Sequence, residues 1–199
     1  SFALQGQIQN KRSSFNPALL IQNSNPRFKS GVWWFVRDTE QAHIVWGVEG
    51  PSYHSRDRVT AFLLSTYLGG GMSSSLFQEI REKNGLAYTV YSSLYPFIDS
   101  GAFMVYAAIL PGKVSTCVKM IENRMNLLSR DLLTNEQLFE VKESVKGGLI
   151  LSDDSVESRM FSMGKSELFR DQHISMKELC DQIDRVTPQD MRRMARKFV

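Results

Sequence analysis

The chain has 199 residues, of which 42% are hydrophobic and 23% are charged, and its 24 basic and 21 acidic side chains leave a net charge of +3. This composition excludes an intrinsically disordered chain and supplies enough apolar material for a core. The small basic excess argues against a dedicated nucleic-acid-binding protein, and no apolar run approaches the roughly 20 residues that span a bilayer.

The first part of the chain, residues 1–30, is polar and irregular and contains Pro17 and Pro26. This pattern predicts an N-terminal arm or linker, followed by one folded domain over residues 31–199. The sequence begins with Ser1 and has no hydrophobic leader, as expected for a piece of a longer protein. The sequence therefore does not decide the compartment in which the protein is located, since a bacterial cytoplasm, a periplasm and a mitochondrion are all compatible with it.

Two pairs of strand-like runs are rich in β-branched and aromatic residues. Val32–Val36 and Ala42–Val48, separated by a short polar break, predict one antiparallel hairpin. Ala87–Tyr95 and Ala102–Leu110 predict a second hairpin, with turn-forming residues at Pro96–Gly101.

Apolar residues at helical spacing predict helices in the rest of the chain. Two helices lie between the strand pairs; the first ends at Gly69–Gly71 and the second near Gly85. In the helical region after the second hairpin, Thr134 and Gln137 form a capping box and Pro188 opens the last helix. This order predicts an α+β fold, a two-layer domain in which an antiparallel sheet of hairpin-connected strands is covered by helices.

Some helical features that could suggest function indicate structure instead. Met160 and Met163, and later Met191 and Met194, lie at helical spacing and predict core packing rather than a cofactor pocket. The basic cluster in Arg192–Lys197 lies near a helix C-terminus, where the helix dipole favours cations, so we interpret it as structural rather than as a nucleic-acid site.

The histidines and cysteines offer little for metal or thiol chemistry. His43, His54 and His173 have no His or Cys three or four residues away, so we expect each to be structural or exposed and no metal ligands in this chain. Cys117 and Cys180 lie in apolar helical patterns and predict buried thiols. The sequence does not decide whether a disulfide joins these two cysteines.

The loop Gly69–Gly71 does not predict a phosphate site, because it follows a helix and lacks the Lys-Ser/Thr ending of such loops. It is either a flexible helix–helix connection or a backbone surface that contacts an extended polypeptide.

The region around Gly85 brings a cation and a phenol to one helix–strand junction. Arg81 lies near the end of the second helix, and Tyr88 opens the next strand. Together they could bind a carbonyl oxygen and polarise it as charge develops. The alternative is that Arg81 is a surface residue paired with Glu79 or Glu82 and that Tyr88 is ordinary sheet packing. Residue chemistry alone favours this alternative.

The segment Leu68–Ser93 resembles a long motif of the pitrilysin/insulinase zinc metallopeptidase family, which includes the mitochondrial processing peptidases. Gln41–Gly50 is similar to the preceding strand of that family, and the regions around Gly147–Leu149 and Val186–Pro188 are similar to its later helices. The resemblance covers roughly Thr39–Val199.

The resemblance implies a clamshell of homologous domains around a chamber. This chain is similar to the non-zinc, inactive C-terminal domain, so the resemblance implies no cofactor in this chain and a zinc ion in a partner domain. Arg81 and Tyr88 match the catalytic pair that binds the carbonyl of the cleaved bond, and Gly69–Gly71 matches a loop implicated in substrate binding. Ser75 and Asn84 stand where relatives often have Arg, which lowers positive charge nearby.

The expected function is therefore the substrate-binding half of a zinc-dependent endopeptidase, inactive alone. Its implied partners are a zinc-binding sister domain or subunit, a peptide substrate and, in a possible dimer, a second copy. The alternative is a non-catalytic homologue that acts as a structural or substrate-presenting subunit.

Overall fold

The structure is a computed structural model that describes residues 28–170 and 174–199. Most of the predicted arm, and His173, lie outside the described residues. The strands are β1 (Ala42–Glu49), β2 (Ala87–Pro96) and β3 (Gly101–Ile109). The helices are α1 (Arg58–Gly69), the π-helical segment Phe77–Lys83, a 3₁₀ turn at Pro111–Lys113, α2 (Val114–Arg130), α3 (Asn135–Asp153), α4 (Val156–Arg170), α5 (Met176–Arg185) and α6 (Pro188–Lys197).

The strands form one antiparallel sheet in the order β1-β3-β2, so β3 is the central strand. Trp46 lies opposite Val105, and Tyr106 lies opposite Tyr91. Because successive side chains of a strand point to opposite faces, Phe103 and Val105 lie in the core, whereas Tyr106 lies on the other face. The prediction of an α+β fold with an antiparallel sheet is confirmed, and so is the β2–β3 hairpin.

The helices pack on the core face of the sheet. The core contains leucines of α1, apolar residues of α2 and methionines of α6. The ring of Phe198, just after α6, stacks on Phe103 of β3 with centroids 4.6 Å apart. Three helices begin at a capping box, at Thr134, Ser175 and Thr187. The box at Thr134 was predicted from the sequence, whereas the one at Ser175 was not.

The predicted hairpin between Val32–Val36 and Ala42–Val48 is wrong. Val32–Val36 forms no strand, and its side chains are 61–97% exposed. Strand-forming residues need a partner edge to form a strand. The partner of β1 is β3, roughly sixty residues further along the chain, and Val32–Val36 has no sheet partner among the described residues.

The expectations for the sulfur-containing residues hold only in part. Cys117 is buried, and burial raises the pKa of its thiol, but Cys180 is half-buried and no disulfide joins the two.

Met191 and Met194 of α6 are buried in the core, as predicted. The predicted core packing of the methionines of α4, at positions 160 and 163, is wrong: both side chains are exposed. Helical spacing predicts their helix, but the neighbouring elements leave more than half of each side chain exposed.

Within residues 28–170 and 174–199, no helix combines the length and the apolar character needed to cross a membrane.

Candidate functional site

The junction between the π-helical segment and β2 is built by a reversal of the chain. The backbone N–H of Gly85 donates to the carbonyl of Arg81 at 2.9 Å, and that of Leu86 donates to the carbonyl of Ile80 at 2.9 Å. Gly85 has φ +59°, in the left-handed region that glycine adopts without strain. The side-chain amide of Asn84 closes the turn by donating to the carbonyl of Glu79. The turn therefore leads directly from Arg81 to the start of β2.

Arg81 points to solvent, and its side chain is 45% exposed. Its guanidinium carbon lies 4.7 Å from the centroid of the largely buried Phe77 ring, and this contact restricts the side chain without using its N–H groups. The sequence suggested Glu79 or Glu82 as an ion-pair partner of Arg81. Arg81 Nε lies 4.0 Å from Glu82 Oε1, the longest distance for an ion pair, whereas Glu79 Oε2 pairs with Arg124 Nε at 3.3 Å. An exposed pair at that distance contributes little. The guanidinium therefore keeps its donors available.

Tyr88 is not ordinary sheet packing. The register between β2 and β3 shifts here, since Ala87 pairs with Ile109 and Thr89 pairs with Ala108. Tyr88 is the extra residue of this β-bulge, and it is 54% exposed. Bulges redirect side chains and are common beside active sites.

The structure brings Arg81 and Tyr88 to one junction but not into contact. Within the described part of the chain, no hydrogen bond or ring contact joins the two side chains, and neither is buried in the core. This arrangement leaves both side chains partly open to solvent.

The three glycines of the loop differ in their surroundings. Gly69 is buried at the end of α1, where a Cβ atom would overlap the backbone nitrogen of Ser92 and lie 2.7 Å from the carbonyl carbon of Tyr91. Its role is therefore close packing of α1 on β2. Gly70 and Gly71 are exposed, and only Gly71 has open space around it. These two remain candidates for contact with a substrate.

A second cluster, not singled out from the sequence, lies on the uncovered face of the sheet. The rings of Tyr91 and Tyr106 have centroids 5.0 Å apart, and those of Tyr106 and His43 have centroids 6.0 Å apart. His43 Nδ1 and Tyr106 Oη lie 2.7 Å apart and share a hydrogen bond. The alternation of residues 102–110 could have indicated the exposed side of Tyr106, but only the register shows that it meets His43 and Tyr91.

The described residues do not fit a zinc site. No group of three or more His, Cys, Asp or Glu side chains in residues 28–170 and 174–199 is arranged to hold a metal ion. His43 is bonded to Tyr106, and the ring of His54 lies edge-on to Tyr53. We therefore derive no chemical step from a metal in this chain.

The basic cluster of α6 makes structural ion pairs. Lys197 Nζ lies 2.6 Å from an oxygen of Asp57, and Arg193 lies 3.2 Å from the same carboxylate. Arg196 donates to the backbone carbonyl of Ser129 at 2.8 Å. These contacts join α6 to the start of α1 and to α2, as the structural interpretation of this cluster expects.

Most of the chain is similar to known proteins. Residues 4–145 match the family model described as the Peptidase M16 inactive domain. The chain is 41% identical over 163 residues to a protein of Mycobacterium tuberculosis that is named an uncharacterized zinc protease. The aligned residues make up 82% of this chain and 37% of that relative. The chain thus spans well under half the length of that relative.

Solved structures share the fold at lower identity. A protease from Helicobacter pylori matches with a TM-score of 0.76 and 22% identity, over 82% of this chain and 39% of that one. A chain of complex III2 from Candida albicans matches with a TM-score of 0.71 and 18% identity, over 80% of this chain and 40% of that one.

Proposed function

The chain belongs to the M16 peptidase family as an inactive domain, and from this premise we propose that it is the substrate-binding half of a zinc-dependent endopeptidase. In this proposal the zinc ligands belong to a sister domain or subunit. This chain contributes Arg81 and Tyr88 to the peptide-hydrolysing site, with Gly70 and Gly71 of the loop close to the bound peptide.

The observation that carries the proposal is the exposure of Arg81 and Tyr88 on either side of one turn. A guanidinium presents several N–H donors and a phenol presents one O–H donor. Apart from the contact of Arg81 with the Phe77 ring and its loose pair with Glu82, both groups are open to solvent. Donors placed in advance around a carbonyl oxygen stabilise the negative charge that develops there when the bond is attacked. The two side chains would thus bind the carbonyl and support the tetrahedral intermediate.

The test uses the full-length protein with its sister domain and a peptide substrate. We expect Arg81→Ala and Tyr88→Phe each to lower kcat/KM by ~10-fold or more, because each variant removes a donor from the transition state. Lys83→Ala on the same segment and Tyr95→Phe on the same strand are matched controls, since both residues are exposed. Wild-type turnover in both test variants would refute the assigned roles.

A second candidate is a non-catalytic subunit that supports assembly or presents substrates. Its support is the match of residues 4–145 to a family model described as an inactive domain. The full-length protein distinguishes the two candidates when it is incubated with a peptide mixture and zinc. New peptide ends in mass spectrometry support the endopeptidase; a stable complex with no cleavage supports the subunit.

A further inference from the structure

The uncovered face of the sheet carries two neighbouring tyrosines, Tyr91 and Tyr106, which we call the aromatic row. Tyr91 and Tyr106 lie directly opposite each other on β2 and β3, and Val45 of β1 continues the row on the other side of Tyr106. Val45 is 63% exposed and Tyr91 is 38% exposed, so apolar surface is open to solvent here. The described elements leave this face of the sheet free.

The row is held in place before any ligand arrives. The Tyr106 ring lies against the Tyr91 ring on one side, tilted by 30°, and its hydroxyl shares a hydrogen bond with His43 on the other. Tyrosines fixed in this way offer a large contact area at a low cost in side-chain entropy. Of the open-face positions on either side of Tyr106 along β3, Ala108 is small and Met104 is larger, and Gly47 lies opposite Met104.

The charge pattern selects the chemistry of the ligand. The strand residues that alternate with the core positions form this face. Among those described, His43 and Glu49 are the ionisable residues besides the tyrosines. Glu49 lies four residues from Val45 along β1, or about 13 Å at the rise of a strand. An acidic side chain would meet the negative faces of the rings, and a basic one would find no strand carboxylate on this face nearer than Glu49. The surface therefore favours an uncharged, bulky side chain.

The row also lies at a defined distance from the catalytic pair. Tyr91 follows Tyr88 by three residues on the same strand, which corresponds to about 10 Å. An extended peptide covers that distance with about three residues. The bulge at Tyr88 interrupts the alternation of faces along β2, so a peptide whose carbonyl meets Tyr88 can place a side chain near the row.

We propose that Tyr91, Tyr106 and His43 form a subsite for a large apolar or aromatic side chain of the substrate, about three residues from the cleaved bond. This inference rests on the proposed function and names a preference that the catalytic pair does not supply. The side chain packs on the Tyr91 and Tyr106 rings, and His43 orients Tyr106 as a positioning residue.

The experiment uses full-length protein and pairs of short peptides that differ only by Phe or Ala at the third residue on either side of the cleaved bond. We expect wild-type protein to prefer Phe by about 5-fold in kcat/KM, the effect of partly burying such a side chain. Tyr91→Ser and Tyr106→Leu should bring this ratio close to one. Tyr95→Ala, on the same strand and face but further along, should leave it unchanged.

A second measurement separates the subsite from catalysis. Fluorescence anisotropy with zinc-depleted full-length protein measures binding of the labelled Phe and Ala peptides, and the same preference and its loss in Tyr91→Ser should appear there. Arg81→Ala should slow cleavage of both peptides without changing their ratio. If Arg81→Ala slows cleavage while the tyrosine variants keep the wild-type ratio in both assays, the subsite is refuted and the proposed function stands. If Arg81→Ala has no effect, the proposed function fails, and the binding ratio alone decides whether the aromatic row recognises such side chains.

Discussion

Helices α4 and α6 carry methionine pairs at the same spacing but in opposite environments. Met191 and Met194 of α6 are 1% and 3% exposed, whereas Met160 and Met163 of α4 are 59% and 58% exposed. The difference lies in the neighbours: α6 packs on α1 and α2, whereas α4 has contacts with α3 but leaves its methionines uncovered. Helical periodicity therefore predicts the helix, and the tertiary neighbours decide whether its apolar side is a core.

The largest expected effect concerns the covered region around α6. Phe198→Ala removes a fully buried ring that stacks on Phe103, and we expect a loss of about 3–5 kcal/mol in the free energy of unfolding. Urea denaturation of this chain measures the change. A loss below about 1 kcal/mol would show that α6 does not hold the core together.

A matched pair of methionine variants tests the comparison itself. Met191→Ala creates a cavity and should cost about 2–4 kcal/mol. Met163→Ala removes a side chain that is more than half exposed and should stay within about 0.5 kcal/mol. Equal losses in urea denaturation would mean that the side of α4 is covered in solution.

A smaller effect is expected at the first turn of α6, and it depends on pH. Hydrogen bonds from the Thr187 side chain and backbone, and then the nearby Arg193, lower the pKa of Asp190 below its ordinary value of 3.8. Because the folded state favours the ionised carboxylate, its stabilisation is present above pH 3.8 and is lost as the pH falls through the lowered pKa. Asp190→Asn should cost about 0.5–1 kcal/mol at neutral pH.

Thermal melts at several pH values check this prediction. The melting temperatures of wild type and Asp190→Asn should differ at neutral pH and converge in acid. The control Ser155→Ala removes the hydroxyl that accepts a hydrogen bond at the start of α4, and its effect should not depend on pH because no ionisable group is changed. A difference for Asp190→Asn that stays constant into acid would contradict the assigned cause.

The sequence predicted those parts of the fold that depend on neighbouring residues. The capping box at Thr134, the proline at the start of α6 and the β2–β3 hairpin were all predictable, because each is decided within a few residues. The pairing of β1 with β3 was not, because Val32–Val36 has an equal tendency to form a strand and only tertiary packing selects the partner.

The same limit applies to the candidate site. The positions of Arg81 and Tyr88 on either side of Gly85 follow from the sequence, since a turn and a strand start are local features. The bulge that exposes Tyr88 and the meeting of Tyr91 with Tyr106 depend on the register of two strands. A shift of one residue would move every such side chain to the other face, so no local pattern could predict them.

A double-mutant cycle of Arg81→Ala and Tyr88→Phe in the full-length protein tests the central claim most directly. If both side chains bind one carbonyl oxygen, each single variant lowers kcat/KM by ~10-fold or more, and the double variant loses less than the product of the two factors because the donors act as a unit. Single variants that both cleave the peptide at the wild-type rate would contradict the account.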